Sequence, residues 1–301
     1  MSRRIVIFTD DPGWHGARLR AAFEAHGCSS EFVSLQQCGF EINGEGQSLR
    51  IPGFENLPDG VFVRGVPGGS LEQVVHYLDI LHALKHLGVC VYNDARAIER
   101  SVDKGMTSFL LHDAGIPTPP TWVLGEQDPT QILMQEFSAG HELVVKPLFG
   151  SQGNGLLRIG DGDSLPEQGQ YNGIYYLQRF ISTGSQDAHD WRVFVINGRA
   201  VATMLRRGRG WISNVAQGAR CHPAVLEKEL RELAEAASDA LEMNYAGVDI
   251  LRDDKGRPYV IEVNSIPAWK GLQQVTHLDM TRMLVDDFLS CTHITPLTEV
   301  I

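Results

Sequence analysis

The sequence predicts an α/β chain: an open α/β unit first, then a strand-richer α+β region. Three observations carry this. Strand-like and helix-like runs alternate over residues 1–98, and strands dominate from about 117 to 181. Two apolar runs, 246–251 and 259–267, read as a late hairpin. A length of 301 residues suggests about two domains.

In the first unit RIVIFT is a strand, and Ala17–His26 has helical periodicity that stops at Gly27. GVFVRG is a second strand, Leu71–Leu87 a strongly periodic helix closed by Gly88, and VCVYN a third strand. This is a βαβ-type open sheet. No GxGxxG follows the first strand, which disfavours a dinucleotide domain. Ser101–Ala114 reads as a helix with Gly115 and Pro117 as stops, and IPTPPTWV as a rigid connector. A helix over Pro129–Ser138 follows, with strands HELVVKP, GLLRIG and YYLQRFI. Arg192–Met204 is a hairpin turning at Asn197-Gly198, a strong hairpin pair. Pro223–Met243 is a long amphipathic helix and Asp279–Leu289 a final one. Between AGVDIL and YVIEVNSIP lies DDKGRP, a turn-type sequence.

A formal net charge of −11 argues against non-specific nucleic-acid binding, while leaving room for a local basic pocket. No segment is long and apolar enough to span a membrane. The start, MSRRIVIFTDDPGWHG, reads as a first strand rather than a signal peptide. Five scattered cysteines without a CxxC pair read as reduced thiols of a cytoplasmic protein with no zinc site.

The late hairpin carries the most chemistry. Glu262 and Asn264 sit two apart in a strand, so they share a face. Asp249 lies in the partner run, and the three would converge as hard oxygen ligands of the kind magnesium prefers. The alternative is that the two acids cap strand ends. Buried acids need a partner, and no Lys or Arg occurs inside either run, which favours the metal.

VVKPLFGSQGNG is the second signal. Lys146 lies in an apolar strand, and a loop with Gly150, Gly153 and Gly155 follows directly. Glycines let backbone amides approach an anion, and a lysine beside them neutralises phosphate charge. The loop is neither a Walker A nor a kinase loop. Alone it reads as an ordinary hairpin loop; with a downstream metal set, phosphate binding is the better reading.

Lys104 opens a helix, against the dipole, so it is either solvated or facing an anion. Asp190 and Arg192 flank Trp191 on one side of a strand entry, as a surface ion pair or with Arg192 holding an anionic reaction centre. Arg206, Arg207 and Arg209 suggest a phosphate pocket first, a plain turn second and an RNA contact with Trp211 a distant third. Arg64 follows a strand of the open sheet, where it would hold a substrate carboxylate.

In this order SVDK, VVKP, GSQGNG, LQRFI, DWR, SN, GVDIL and EVNSIP resemble the ATP-grasp enzymes, and more narrowly the RimK-like α-L-glutamate ligases. The resemblance covers nearly the whole chain and is strongest over about 94–273. It implies an ATP-grasp fold: a pre-ATP-grasp domain at 1–98, then an ATP-grasp domain at 99–301 with subdomains of about 99–181 and 182–301. ATP would lie between two antiparallel sheets. Lys104, Lys146 and the loop Gly150, Ser151, Gln152, Gly153 and Gly155 would meet phosphates. Gln178, Arg179 and Phe180 would form the adenine hinge, Asp190 would lie near the ribose, and Ser213 and Asn214 near the nucleotide. Asp249, Glu262 and Asn264 would bind two magnesium ions, with manganese as a substitute.

Two departures stand out. Arg179 replaces the acid common at the hinge, which points to backbone contact with adenine. SIPAWKGLQQVT differs from the short Ala-Ser-Pro-Gly segment of ribosomal-protein modifiers, which turns the expectation toward a small-molecule acceptor such as a pterin.

The implied activity is ATP-dependent carboxylate–amine ligation, with a small-molecule carboxylate acceptor and L-glutamate as the implied partners besides ATP. An acyl phosphate forms and an amine displaces phosphate, with Arg192 as the catalytic cation. The alternatives are a ligase joining another amino acid to a carrier protein, peptide or ribosomal protein tail, and a nucleotide-binding regulatory module. Neither nucleic acid nor membrane is an expected partner, and the family's frequent dimers and tetramers imply a homo-oligomer.

Overall fold

The computed structural model describes residues 2–43, 46–150, 153–184, 188–208 and 210–292. Three sheets, each built from one stretch of chain, account for most of it.

The first stretch runs β1 (Arg4–Phe8), α1 (Gly13–Ala25), β2 (Ser29–Val33), β3 (Gly39–Asn43), β4 (Gly46–Arg50), β5 (Gly60–Val63), α2 (Leu71–His86) and β6 (Val91–Tyr92). Its sheet has the order β2-β1-β5-β6, all parallel. β1 and β5 are apolar and buried on both faces, as helix-covered parallel strands must be. Helix α2 begins with a capping box between Ser70 and Gln73 and stops before Gly88 at φ +83°.

Two helices follow, α3 (Ala95–Val102) and α4 (Lys104–Asp113). The sequence reading expects one helix over 101–114. Asp103, extended at φ −83° and ψ 100°, ends α3 and caps α4 through Met106 N–H, so its side chain splits the run.

The second stretch runs β7 (Thr121–Leu124), α5 (Thr130–Ser138), β8 (Leu143–Lys146), β9 (Leu157–Ile159) and β10 (Tyr175–Arg179). Its sheet is antiparallel in the order β7-β10-β8-β9. The third comprises β11 (His189–Ile196), β12 (Arg199–Arg207), β13 (Arg220–Pro223), α6 (Lys228–Ala240), β14 (Tyr245–Arg252), β15 (Pro258–Asn264), α7 (Lys270–Gln273) and α8 (Met280–Cys291). Its sheet, order β13-β12-β11-β14-β15, is also antiparallel. The β11–β12 turn places Asn197 (φ +48°) and Gly198 (φ +67°) in the left-handed region, as the Asn-Gly pair foretells.

The strands missed in sequence are β2, β3, β4, β7 and β13. β7, β2 and β13 lie at sheet edges, and β3 with β4 forms a separate hairpin, so their apolar signal is thin. The helix expected over 223–243 is shorter: β13 ends at Pro223, Glu227 is extended, and α6 runs from Lys228 to Ala240.

Helix α8 returns to the first sheet. Phe288 meets Phe23 and Phe62 edge to face or tilted, and Tyr92 donates to Asp287 at 2.6 Å. One core joins Ile5, Phe62, Tyr245, Trp269 and Phe288, so the first and third sheets are welded together. Asn93, fully buried, donates to the carbonyls of Tyr245 and Ser265, both at 2.7 Å, and accepts from Asn244 N–H at 2.6 Å. It fixes the open end of the β14–β15 pair, where β14 starts and β15 finishes, to the first unit.

Candidate active site

A cavity of about 440 Å³ lies between the second and third sheets. That is within the size range of small-molecule sites. Lys146 ends β8, and its Nζ donates to Gln178 Oε1 at 2.6 Å. Gln178 is itself held by its Nε2, which donates to Tyr176 Oη at 2.8 Å and Thr121 Oγ1 at 3.1 Å. Lys104 opens α4, and its Nζ donates to the carbonyls of Gly150 (2.6 Å) and Leu148 (3.3 Å). The helix-start lysine and the glycine loop thus meet in one contact.

Among the described residues neither lysine forms an ion pair. Burial pulls the Lys146 ammonium down to about 8, against the opposing field of Glu262. Burial also lowers Lys104. Glu262 faces the same space, and its carboxylate has no hydrogen bond or salt bridge among the described residues. Burial and then the nearby Asp249 raise its pKa. Two uncompensated lysines and one uncompensated acid around one cavity fit a ligand that carries negative charge and a hard cation together.

Asp249 is different. Arg192 donates Nε and Nη2 to its two oxygens at 2.6 Å each, and Arg206 Nη2 reaches Oδ2 at 2.8 Å. The reasoning that Asp249 needs a metal because its run lacks a cation is therefore corrected: the cations come from the neighbouring strands β11 and β12. Arg206 also grips Asp190 through Nε (2.6 Å) and Nη2 (2.7 Å), and Ser213 Oγ donates to Asp190. Asp190 and Arg192 do share a side of β11, but as halves of one buried four-charge network.

The arginine cluster is also corrected. Arg206 is buried and Arg207 exposed because successive strand residues face opposite ways, so they form no common pocket. Arg209 lies outside the described residues, as do Ser151 and Gln152 of the expected phosphate loop.

Of the remaining expected residues, Gly150, Gly153, Gln178, Arg179, Phe180, Ser213 and Asn214 line the cavity, whereas Gly155, Arg192 and Asn264 do not. Gly153 sits at φ +75°, where an added Cβ would press Asn214 Oδ1 at 3.1 Å, so the loop lies close against the third sheet's connection. Arg179 turns its side chain away into a bidentate pair with Glu136 at 2.7 and 2.8 Å. The N–H groups of Arg179 and Phe180 already donate to Pro120 and Glu142 carbonyls, so hinge donors to a purine must lie further along the chain. Asn264 Nδ2 donates to the Gly247 carbonyl at 3.2 Å.

A β-bulge refines the hairpin. Asp249 pairs with Glu262 but Ile250 pairs with Val260, so Ile261 is an extra residue on β15. Bulges re-aim side chains beside functional sites, and here both Ile261 and Glu262 reach the cavity. Sequence reasoning also missed Arg158, whose guanidinium stacks 3.8 Å from the Phe180 ring centre. A charged residue inside the apolar GLLRIG run was the available signal.

A lysine-lined cleft between two antiparallel sheets suits a phosphate-bearing ligand. The comparisons agree. A family model for the RimK-like ATP-grasp domain matches residues 101–288. The chain is 33% identical over 235 residues to the tetrahydromethanopterin:alpha-L-glutamate ligase of Methanococcus maripaludis, covering 76% of this chain and 78% of that one. It is 30% identical over 278 residues to a probable alpha-L-glutamate ligase of Aliivibrio fischeri, covering 90% and 89%. In fold it is similar to the ATP-grasp ligase PsnB solved with minimal precursor, Mg and ADP, at a TM-score of 0.72, 19% identity and coverage of 96% and 98%. The chain belongs to the RimK-like ATP-grasp family and is an ATP-dependent carboxylate–amine ligase. No helix among the described residues is long and apolar enough to cross a membrane.

Proposed function

We propose that this ligase adds L-glutamate to a small-molecule carboxylate acceptor, a pterin-type cofactor foremost, in the cytoplasm. The observation that carries the nucleotide half is the cavity in which Lys104 and Lys146 face Glu262 without ion-pair partners. The substrate half is supported by the names of the relatives and by the SIPAWKGLQQVT segment after Asn264.

Lys104 and Lys146 hold the phosphates of ATP, and Lys104 carries the glycine loop with it. Ser213 and Asn214 flank the nucleotide. Asp249, Glu262 and Asn264 present oxygens to magnesium, two ions with manganese as a substitute, which neutralise phosphate charge when bound. An acceptor carboxylate oxygen attacks the γ-phosphorus and ADP leaves. The amine nitrogen then attacks the acyl carbon, phosphate leaves, and the amine loses a proton. Arg192, drawn from Asp249, stabilises the negative charge that develops on the acyl oxygen. A division at 98/99, a further one near 181/182 and a homo-oligomer are part of the proposal.

The test is magnesium-dependent ADP release with single amino acids, with and without tetrahydromethanopterin, followed by mass spectrometry. The expected product gains one glutamate residue. A product carrying a different amino acid, or a modified peptide in place of the pterin, overturns the acceptor and amine assignments. ATP binding without any turnover would favour a regulatory module.

A further inference from the structure

A second cationic site stands outside the nucleotide cavity, where the first unit meets the third sheet. Arg64 follows β5 at the carboxyl end of the parallel strands, the end at which open α/β sheets bind ligands. Its Nη1 donates to the Pro267 carbonyl at 3.1 Å and to Tyr245 Oη at 3.5 Å. Its guanidinium carbon lies 4.6 Å from the centre of the Trp269 ring. Its Nε is buried without a hydrogen-bond partner. All of its contacts are neutral, and among the described residues no carboxylate pairs with it. Arg100, Arg158, Arg179, Arg192, Arg206 and Arg252 each meet a carboxylate.

Two more groups complete the corner. His15 Nε2 accepts from the Trp269 backbone N–H at 3.2 Å, and the two rings meet edge to face at 4.6 Å. The ring proton is thereby on Nδ1. Burial, then Arg64 and Lys270, push the His15 pKa down to about 4, so the ring is a neutral donor at pH 7. Lys270 opens α7, exposed, and makes no ion pair among the described residues. In a chain of net charge −11, two uncompensated cations and a neutral donor in one corner are an anion site.

The corner is aligned with the reaction. Tyr245, Gly247 and Asp249 share one face of β14, with Arg64 at the Tyr245 end and Arg192 at the Asp249 end. Four strand residues span about 13 Å. Gly247 lies between: an added Cβ would come within 2.8 Å of Pro267 Cβ and 3.6 Å of Arg192 Cδ. The bare glycine lets Pro267 and Arg192 pack closely against β14 between its two ends.

We propose that Arg64, Lys270 and His15 Nδ1–H form the carboxylate-recognition subsite for the incoming dicarboxylic amino acid. This rests on the ligase reading above and names the group that selects its amine substrate. Two cations match the two carboxylates of such an amino acid. The acceptor's carboxyl lies instead toward the Asp249 end of β14. The subsite sorts glutamate from glutamine because only the acid answers the second positive charge.

The test compares wild type with Arg64→Ala, Arg64→Lys and Lys270→Gln, each checked for an unchanged thermal midpoint. The last changes an exposed side chain and guards against misfolding of the first. Arg64→Ala raises KM for L-glutamate tenfold or more and cuts the glutamate-over-glutamine preference tenfold, with KM for ATP within twofold of wild type. Arg64→Lys restores part of the affinity. Unchanged glutamate KM and preference in Arg64→Ala and Lys270→Gln overturn the proposal, as does a rise confined to KM for the acceptor. Calorimetry with glutarate separates the two readings. If wild type shows no glutamate-dependent ADP release, the ligase reading fails. Glutarate binding that is lost in Arg64→Ala still supports the corner, and binding retained there overturns it.

Discussion

The molecule treats its buried arginines in two ways. In the third sheet Arg192 and Arg206 are saturated by Asp249 and Asp190, with nearly every contact between 2.6 and 2.8 Å. At the carboxyl end of the first sheet Arg64 touches a carbonyl, a phenol and an indole. Charge that is matched from within holds strands in place. Charge that is left unmatched awaits a ligand. Lys104, Lys146 and Glu262 belong with Arg64 in this respect, and Asp249 belongs to the matched set until something competes for it.

The hardest way to break the matched side is Arg206→Ala. It leaves buried Asp190 with Ser213 alone while Asp249 keeps Arg192, and losing one partner of a buried pair costs about 3–5 kcal/mol. For a chain of this size the thermal midpoint should fall by roughly 10 °C. A midpoint within a degree or two of wild type would show that the network contributes nothing to stability.

Glu262→Gln sharpens the contrast. Glu262 has no partner among the described residues and burial disfavours its charge, so its neutral isostere should leave the midpoint unchanged or higher. Magnesium-dependent ADP formation should fall by at least a hundredfold. Full activity in this variant would remove Glu262 from the metal set. Lys146→Ala should raise KM for ATP by roughly 10–100-fold, the equivalent of about 1.5–3 kcal/mol for a charged hydrogen bond. Equal nucleotide affinity in this variant and wild type would end the phosphate assignment.

The pH dependence is smaller. Lys146 is charged below about 8 and loses its proton as pH rises through that value. ATP affinity should therefore be full at pH 7 and decline above pH 8, by up to about tenfold per unit. Lys146→Arg should flatten the decline because arginine stays charged. A profile identical in both proteins would assign the effect to another group. Smallest of all is Lys228→Ala, which removes an exposed pair with Glu232 at 3.6 Å and should change stability by less than about 0.5 kcal/mol.

Much of this was legible in one dimension. The apolar strands β1, β5, β8, β11, β14 and β15, the helix α2 closed by Gly88, and the Asn197-Gly198 turn follow from periodicity and turn chemistry, which act over a few residues. Lys146 beside its glycine loop, and Glu262 two before Asn264, were visible because strand alternation is local too. The family motifs in series identified the fold and the reaction class.

Only the tertiary structure decided who meets whom. That Arg206 faces Asp190 and Asp249 while Arg207 faces solvent depends on the registers of β12, β11 and β14. The bulge at Ile261, the split at Asp103, the anchoring of β14 by Asn93 and the approach of His15 to Trp269 join residues far apart in sequence or reset a local period. Whether a buried charge is compensated is a property of distance in space, and sequence spacing carries no information about it once the partners lie on different strands.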